Sequence, residues 1–147
     1  MKRLLAILVV MLVAVTGCSS GGTTAAAPET PVRMQLLIRQ VVPPLEESFA
    51  VGQTVRVFDT KALLGTITDV AVDPARMAVP DSTGALQDAR SPVQNDIVLT
   101  IEGSAVVAEG SYSFQGTTVW LNNDIDYLTP VTRFKGIIIS MEEMDAE

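Results

Sequence analysis

The chain carries few side chains that are suited to chemistry, and its single cysteine is the most informative of them. Cys18 directly follows Val15-Thr16-Gly17, where an apolar run gives way to small polar residues. A cysteine thiolate is a good nucleophile for accepting a lipid group, and two or more acyl chains hold a protein stably on a bilayer. Cys18 is therefore predicted to be a lipid attachment point.

The residues before Cys18 have the layout of a secretory signal. Met1-Lys2-Arg3 supplies a positive start, and an uncharged apolar run of 12 residues follows it. That run fits a signal peptide, whose apolar region has roughly 7–15 residues, and is shorter than the about 20 that a membrane span needs. Residues 1–17 are therefore predicted to be a cleaved signal peptide.

The stretch Val15–Cys18 resembles the lipobox of bacterial lipoproteins, with an aliphatic residue followed by small residues and the cysteine. That resemblance implies cleavage after Gly17 and acylation of Cys18, for example with palmitate. It also implies an extracytoplasmic protein, anchored to the cell membrane, or to an outer membrane if the cell has one. Residues 18–31 are small residues, Gly and Pro, which predicts a flexible tether.

Oxygen-bearing side chains alternate at Asn122, Asp124 and Asp126. Oxygen ligands at alternate positions can wrap a calcium ion, but the glycine and the closing glutamate of a calcium loop are missing here. These residues are weak metal candidates, and the plainer interpretation is a polar loop tip facing water. No cofactor is expected.

The predicted loop from Asn122 to Lys135 is also the candidate binding surface, because binding residues gather on loops that a rigid scaffold holds. Its aromatic and charged side chains would contact an envelope glycan, a peptide or a membrane protein. Trp120 has a second interpretation, since a lone tryptophan in a strand usually packs on the core. The candidate binding residues are Trp120, Tyr127 and Arg133.

Nucleophile–base catalysis is not indicated by the sequence. The chain contains no histidine, which is the usual base. Asp81-Ser82-Thr83-Gly84 has the residue types of an aspartic protease turn, but it has no second copy and favours a surface turn. We therefore expect no enzyme. A carboxylate-based envelope enzyme is the least favoured of the alternatives.

The charge balance excludes one large class of partner. The formal net charge is −7, and removal of the signal takes away Lys2 and Arg3 and lowers it to −9. Nucleic acids carry a dense negative charge that an acidic surface repels. No nucleic-acid partner is expected.

From residue 32 to residue 141 the chain has the texture of an all-β domain. Segments such as "QTVRVFDT" and "GTITDVAVDP" alternate apolar and polar residues, and turn signals separate them. Two halves, 32–74 and 95–141, echo each other, as in Gly65-x-Ile67 and Gly136-x-Ile138, and in Val55-x-Val57 and Val119-x-Leu121. We expect a small closed β-barrel or sandwich of two similar three-strand halves, joined by a loop over 75–94 and followed by an acidic tail over 142–147.

With these strand-rich stretches, residues 32–141 resemble an uncharacterised bacterial envelope family, domain of unknown function four-three-three-zero. The resemblance rests on glycines and branched residues, as in "GQTVRVFD" and "IVLTIEG". It implies a membrane-tethered, extracytoplasmic domain. It assigns no chemistry and therefore adds no site residues.

Three functions remain in view from the sequence. The one we favour is a non-catalytic binding or scaffold module of the bacterial cell envelope, held to the membrane by the lipid on Cys18. The second is an accessory subunit of an envelope export or polysaccharide-assembly machine. The third is the carboxylate-based enzyme named above.

Overall fold

The computed structural model describes residues 27–145, so the predicted signal peptide, Cys18 and most of the tether lie outside the described residues. No helix in this part of the chain is long and apolar enough to cross a membrane. The described elements are β1 (Thr30–Val41), α1 (Pro43–Glu46), β2 (Thr54–Val57), β3 (Leu63–Pro80), β4 (Leu86–Ala108), β5 (Ser111–Phe114), β6 (Thr117–Val119), β7 (Asp124–Leu128) and β8 (Arg133–Glu143).

Six of the strands form a closed antiparallel ring. The order around it is β1-β8-β7-β2-β3-β4, and a direct pairing of β1 with β4 closes it. The remaining two strands, β5 and β6, continue from the end of β4 as a short antiparallel ribbon. The prediction of a small closed β-domain is confirmed. Closure leaves the ring strands with a partner on each side, which removes the open edges of a flat sheet.

Alternation of side chains builds the core of this barrel. In β1, Val32, Met34, Leu36 and Ile38 are buried, while the residues between them face outward or are half-buried. Successive strand side chains point to opposite faces, so one alternating stretch supplies one row of the core. Full burial of each such aliphatic side chain stabilises the fold by about 1.5–3 kcal/mol.

The ring has an approximate two-fold symmetry that exchanges its halves. Exchanging β1 with β4, β2 with β7 and β3 with β8 leaves the order of strands unchanged. The irregularities repeat as well. The pairing of β3 with β4 skips Thr68, between Ile67 and Asp69, and the pairing of β8 with β1 skips Ile139 at the equivalent place. The two three-strand halves are therefore similar in register as well as in strand order.

The register also shows which residues of one half of the ring correspond to which residues of the other half. Val55 pairs with Gly65 and Ile125 pairs with Gly136, so the sequence match of Gly65 with Gly136 is confirmed. The matching of Val55 with Val119 is wrong, because Ile125 is the true counterpart of Val55. The ribbon of β5 and β6 is inserted before β7, and it contains Val119, the residue of the false match.

The segment 75–94, predicted as a connecting loop, is instead mostly strand. Beyond the ring, Arg76–Pro80 of β3 pair with Leu86–Arg90 of β4 in an extended hairpin. We call residues 76–90 the arm. Pro80 and Pro92 favoured a loop over the segment 75–94 in the sequence. Pro80 stands in the outermost pair of the arm, and proline is tolerated on strands with a free edge.

The barrel also extends past both predicted limits of the domain. Thr30 and Pro31, predicted as tether, pair with Ala105 and Ser104 of β4. Glu142 and Glu143, predicted as part of the tail, pair with β1. Polar composition alone therefore understated the start of β1 and the end of β8, which are strands because the first pairs with β4 and the second pairs with β1.

Two glycines allow β3 and β4 to approach closely. A Cβ on Gly103 would overlap the carbonyl oxygen of Leu64, and a Cβ on Gly65 would overlap the carbonyl oxygen of Glu102.

We expect Gly103→Ala to lower the free energy of unfolding by more than about 2 kcal/mol, because the backbone of one of the two strands must move. Urea denaturation measures this effect. The exposed neighbour Ser104→Ala is the control, and equal stability of the two variants would contradict the close approach.

The tip of the arm depends on one carboxylate. Asp81 accepts hydrogen bonds from the amide and hydroxyl of Thr83, at 2.8 and 2.7 Å, from the amide of Ala85 and from the side chain of Gln87. These bonds, the Thr83 hydroxyl first, hold the pKa of Asp81 below its ordinary value. The predicted surface turn is thus an ordered hairpin tip.

A lowered carboxyl pKa fixes the sign of the pH dependence at this tip. The stabilisation is fully present above the ordinary carboxyl pKa of about 4 and is lost as the pH falls through the lower folded value. We expect the hydrogen-exchange protection of the Thr83 and Ala85 amides to fall as the pH is lowered below the ordinary carboxyl pKa. Asp81→Ala should remove both the protection and its pH dependence. Unchanged protection of wild type throughout an acid titration would contradict this role of Asp81.

Candidate functional site

The three residues predicted to form a binding surface do not come together. The predicted loop from Asn122 to Lys135 is largely β7 and the start of β8. Within β7 the side chains alternate, so Tyr127 points inward and is fully buried. Trp120 is 58% exposed, and the interpretation that it packs on the core is wrong.

Tyr127 is a core residue. Its ring stacks on Phe134 with 5.8 Å between centroids, and Phe134 in turn meets Phe49 edge to face at 5.0 Å. The Tyr127 hydroxyl is buried and has no hydrogen-bond partner within the described residues. Burial, with a smaller effect of the Asp124 charge, raises the pKa of this hydroxyl above its ordinary value. Tyr127 therefore offers no surface contact.

Arg133 is held in a local cluster. Its guanidinium donates a hydrogen bond to Asp126 at 2.6 Å and lies 3.6 Å from the centroid of the Phe58 ring. The hydrogen bond from Arg133 is also the main reason that the pKa of Asp126 is lowered. Arg133 thus joins β7 to the end of β2.

The same cluster bears on the weak metal candidates Asn122, Asp124 and Asp126. Asp126 is already paired with Arg133, and the backbone amide of Asn122 donates to the carbonyl of Ile138. In residues 27–145 no group of three or more His, Cys, Asp or Glu is arranged to hold a metal ion.

A different surface brings charged side chains together. Three adjoining depressions, of about 200, 400 and 240 Å³, run from β7 and β8 across the end of β1 to the base of the arm. The first two share Leu37 and Arg39, and the last two share Arg76 and Asp96, so they form one groove. Its charged lining residues are Arg39, Asp73, Arg76, Arg90, Asp96, Asp124 and Lys135.

A bulge in β1 presents Arg39 to this groove. The register shifts after the pair of Ile38 with Ile97, so that Arg39 and Gln40 together oppose Asp96. Gln40 has a positive φ of 55°, and its amide donates to the Asp96 carboxylate at 2.9 Å. The amide of Arg76 donates to the other Asp96 oxygen at 3.4 Å. Asp96 therefore ties the end of β1 to the base of the arm.

The base of the arm contains an unfavourable pair of like charges. Arg76 and Arg90 are direct cross-strand neighbours, and both line the same depression. Like charges directly opposite each other destabilise a sheet. The partial compensation is Asp88, 3.4 Å from Arg76, with side chains 67% and 72% exposed. An exposed pair of this kind contributes at most about 1 kcal/mol.

The symmetry of the barrel shows that the ring does not need the charges of Arg39, Asp124 and Lys135. At the position equivalent to Arg39 the other half has Ser104, and at the position equivalent to Asp124 it has Thr54. Lys135, which pairs with Asp126, corresponds to Leu63, which pairs with Arg56. The same ring is therefore built on the other side without them.

Nothing in the sequence predicted the arginines of the groove. Arg39, Arg76 and Arg90 are single charges within three different strands, and a single outward arginine in a strand is ordinary. No local signal marks them. Only the register of β1, β3 and β4 places them on one surface.

The buried hydroxyl of Tyr127 leads to a stability prediction. An unsatisfied buried polar group costs about 1–3 kcal/mol, so Tyr127→Phe should leave the free energy of unfolding unchanged or raise it by about 1 kcal/mol. Tyr127→Ala should lower it by about 3–5 kcal/mol, since it leaves a cavity. Chemical denaturation measures both. Marked destabilisation by Tyr127→Phe would contradict an unpartnered hydroxyl and indicate a buried water.

Comparison with known proteins identifies the family to which the chain belongs. Neither a curated protein nor a solved structure matches the chain. The family model described as "Domain of unknown function (DUF4330)" matches residues 4–142, which is nearly the whole chain. The chain therefore belongs to the DUF4330 family.

Proposed function

We propose that the protein is a lipid-anchored, extracytoplasmic and non-catalytic binding module of the bacterial cell envelope. In this proposal Cys18 carries the lipid, the residues up to Thr30 link it to the barrel, and the groove binds the ligand. The anchor is supported by the lipobox-like Val15–Cys18 stretch. The family match begins at residue 4 and so includes the whole apolar run.

One observation carries the choice of the groove. Arg39, Asp124 and Lys135 line the groove on one half of the ring, while Ser104, Thr54 and Leu63 stand at the equivalent positions of the other half. Charges that the fold does not require are expected where a surface meets a partner. The arm forms one wall of the groove, and its exposed hairpin can adjust to what is bound.

Binding is favoured over catalysis because the carboxylates with clear roles serve the structure. Asp81 organises the hairpin tip, Asp96 accepts two backbone amides, and Asp126 pairs with Arg133. A general acid needs a raised carboxyl pKa and a protected site. The pKa values of Asp81 and Asp126 are lowered instead.

A second candidate function rests on the arm itself. Val79, Leu86 and Val93, in and beside the arm, are exposed, Leu86 by 72%. An arm with free strand edges and exposed apolar side chains suits docking to a membrane protein. That would make the protein an accessory subunit of an envelope export or polysaccharide-assembly machine.

The anchor is tested by Cys18→Ser, with Ser20→Ala as a matched control. We expect the wild type and the control to fractionate with membranes and to carry added lipid mass. The Cys18→Ser protein should lose the lipid mass and leave the membrane fraction, because no acyl chain holds it. Lipid-free wild type, or unchanged membrane association of Cys18→Ser, would refute the anchor.

The groove is tested by photo-crosslinking in intact cells. A photoreactive residue replaces Asp73, which lines the groove, and in a separate strain replaces the exposed Glu109, just after the far end of β4. We expect a discrete product from position 73 and none from position 109.

A third strain, with the photoreactive residue at Leu86, separates the two functions. Capture of one membrane protein from position 86, with none from position 73, would favour the accessory subunit. Equal labelling from positions 73 and 109 would contradict the groove as the binding surface.

A further inference from the structure

We propose that the arm end of the groove binds a single phosphate group through Arg39, Arg76 and Arg90. This inference rests on the proposed function only in taking the groove as a binding surface. It adds the chemical class of the ligand. The phosphate can belong to a lipid headgroup or to a soluble phosphorylated compound, because the shared chemistry is the same.

Arg76 is the centre of this site. It lines the depression of about 400 Å³ together with Arg39, and the depression of about 240 Å³ together with Arg90. The three arginines come from three strands and face connected space. A carboxylate has two oxygens to share among them, whereas a terminal phosphate has three free oxygens. Arginine also presents a planar fork of donors that matches phosphate.

The charges around the site leave these cations available. Within the described residues, the ion pairs involve Arg33, Arg76 and Arg133, so Arg39 and Arg90 have no carboxylate in ion-pair contact. The pair of Arg76 with Asp88 is exposed and weak. A bound phosphate would therefore replace no strong internal ion pair.

The acidic residues nearby set a limit on the ligand. Asp96 accepts hydrogen bonds from the amides of Gln40 and Arg76, and its cross-strand neighbour Asp73 places a second carboxylate at the edge of the site. With a chain net charge of −7, this favours one phosphate group over a long polyanion, which the surrounding field would repel.

The opposed arginines supply a second argument. Placing Arg76 directly across from Arg90 works against the stability of the hairpin. An anion between them turns this repulsion into two favourable contacts. The arrangement is thus weak when the site is empty and is stabilised by the ligand we propose.

The test uses the full chain with Cys18→Ser, purified in phosphate-free buffer, and inorganic phosphate as the probe. Binding is followed by calorimetry and by the Nε–Hε resonances of the arginines, with added chloride matching the ionic strength. We expect saturable binding that chloride does not abolish. Each of Arg39→Gln, Arg76→Gln and Arg90→Gln should weaken it at least tenfold, because each removes one charged donor.

The control is Arg33→Gln, which makes the same change of net charge at an arginine paired with Glu102. We expect its phosphate affinity to equal that of the parent protein. Arg76→Gln should also leave the thermal midpoint without ligand unchanged or raised, because it relieves the repulsion with Arg90. Loss of binding with retained stability would show that the variant has lost a ligand contact and not its fold.

Two further experiments distinguish a lipid headgroup from a soluble phosphorylated compound as the source of the phosphate. Recruitment to vesicles containing phosphatidic acid, whose terminal phosphate has three free oxygens, but not to phosphatidylcholine vesicles, lost in Arg76→Gln, would support a lipid headgroup. Binding of glycerol 3-phosphate without recruitment to vesicles would support a soluble ligand. No saturable phosphate binding, or an equal loss in Arg33→Gln, would overturn the proposal. Crosslinking from position 73 that persists despite this result would leave the groove as a binding surface for another chemistry.

Discussion

The pairing of β1 with β4 is the constraint on which the rest of this structure depends. It runs without a break from Thr30 opposite Ala105 to Ile38 opposite Ile97, and it turns an open sheet into a barrel. Both strands then contribute alternate residues to a shared core. Where the regular register ends, the bulge at Arg39 and Gln40 turns toward Asp96, and β4 continues outward into the arm. Closure of the barrel thus also determines where the groove lies.

A comparison of the two similar halves of the ring shows which residues the fold requires and which can vary. Buried positions such as Ile67 and Ile138 are apolar in both halves, because either half must fill the same interior. The shared glycines Gly65 and Gly136 both lie at crowded places, Gly65 against the backbone of Glu102 and Gly136 against the side chain of Leu36. Outward positions have no such requirement, so Arg39 and its counterpart Ser104 differ. The difference between the halves lies in the surface chemistry, which is where a specific partner would act.

The arm is the least supported part of the barrel and the part nearest the charged groove. A two-stranded hairpin has marginal stability by itself, and along the arm most side chains are exposed. Hydrogen bonds from Gln40 and Arg76 to Asp96 fix its base, and Asp81 orders its tip. Between these two fixed points, Arg76 and Arg90 repel each other. An element of this kind can respond to a ligand at small energetic cost, while the closed ring below it stays unchanged.

The sequence by itself determined the all-β class, the two related halves and the turn at Asp81, because alternation, glycine and turn chemistry are local properties of the chain. It also placed Tyr127 and Arg133 in one predicted loop, with Trp120 just before it, since several polar residues and Pro130 are typical of loops. Only the tertiary structure decided that Tyr127 lies in the core, that Trp120 is exposed, and that Arg39, Arg76 and Arg90 share a groove. The physical reason is that strand order and register arise from burying a whole apolar face at once. Residues far apart in the chain therefore become neighbours without any local signal.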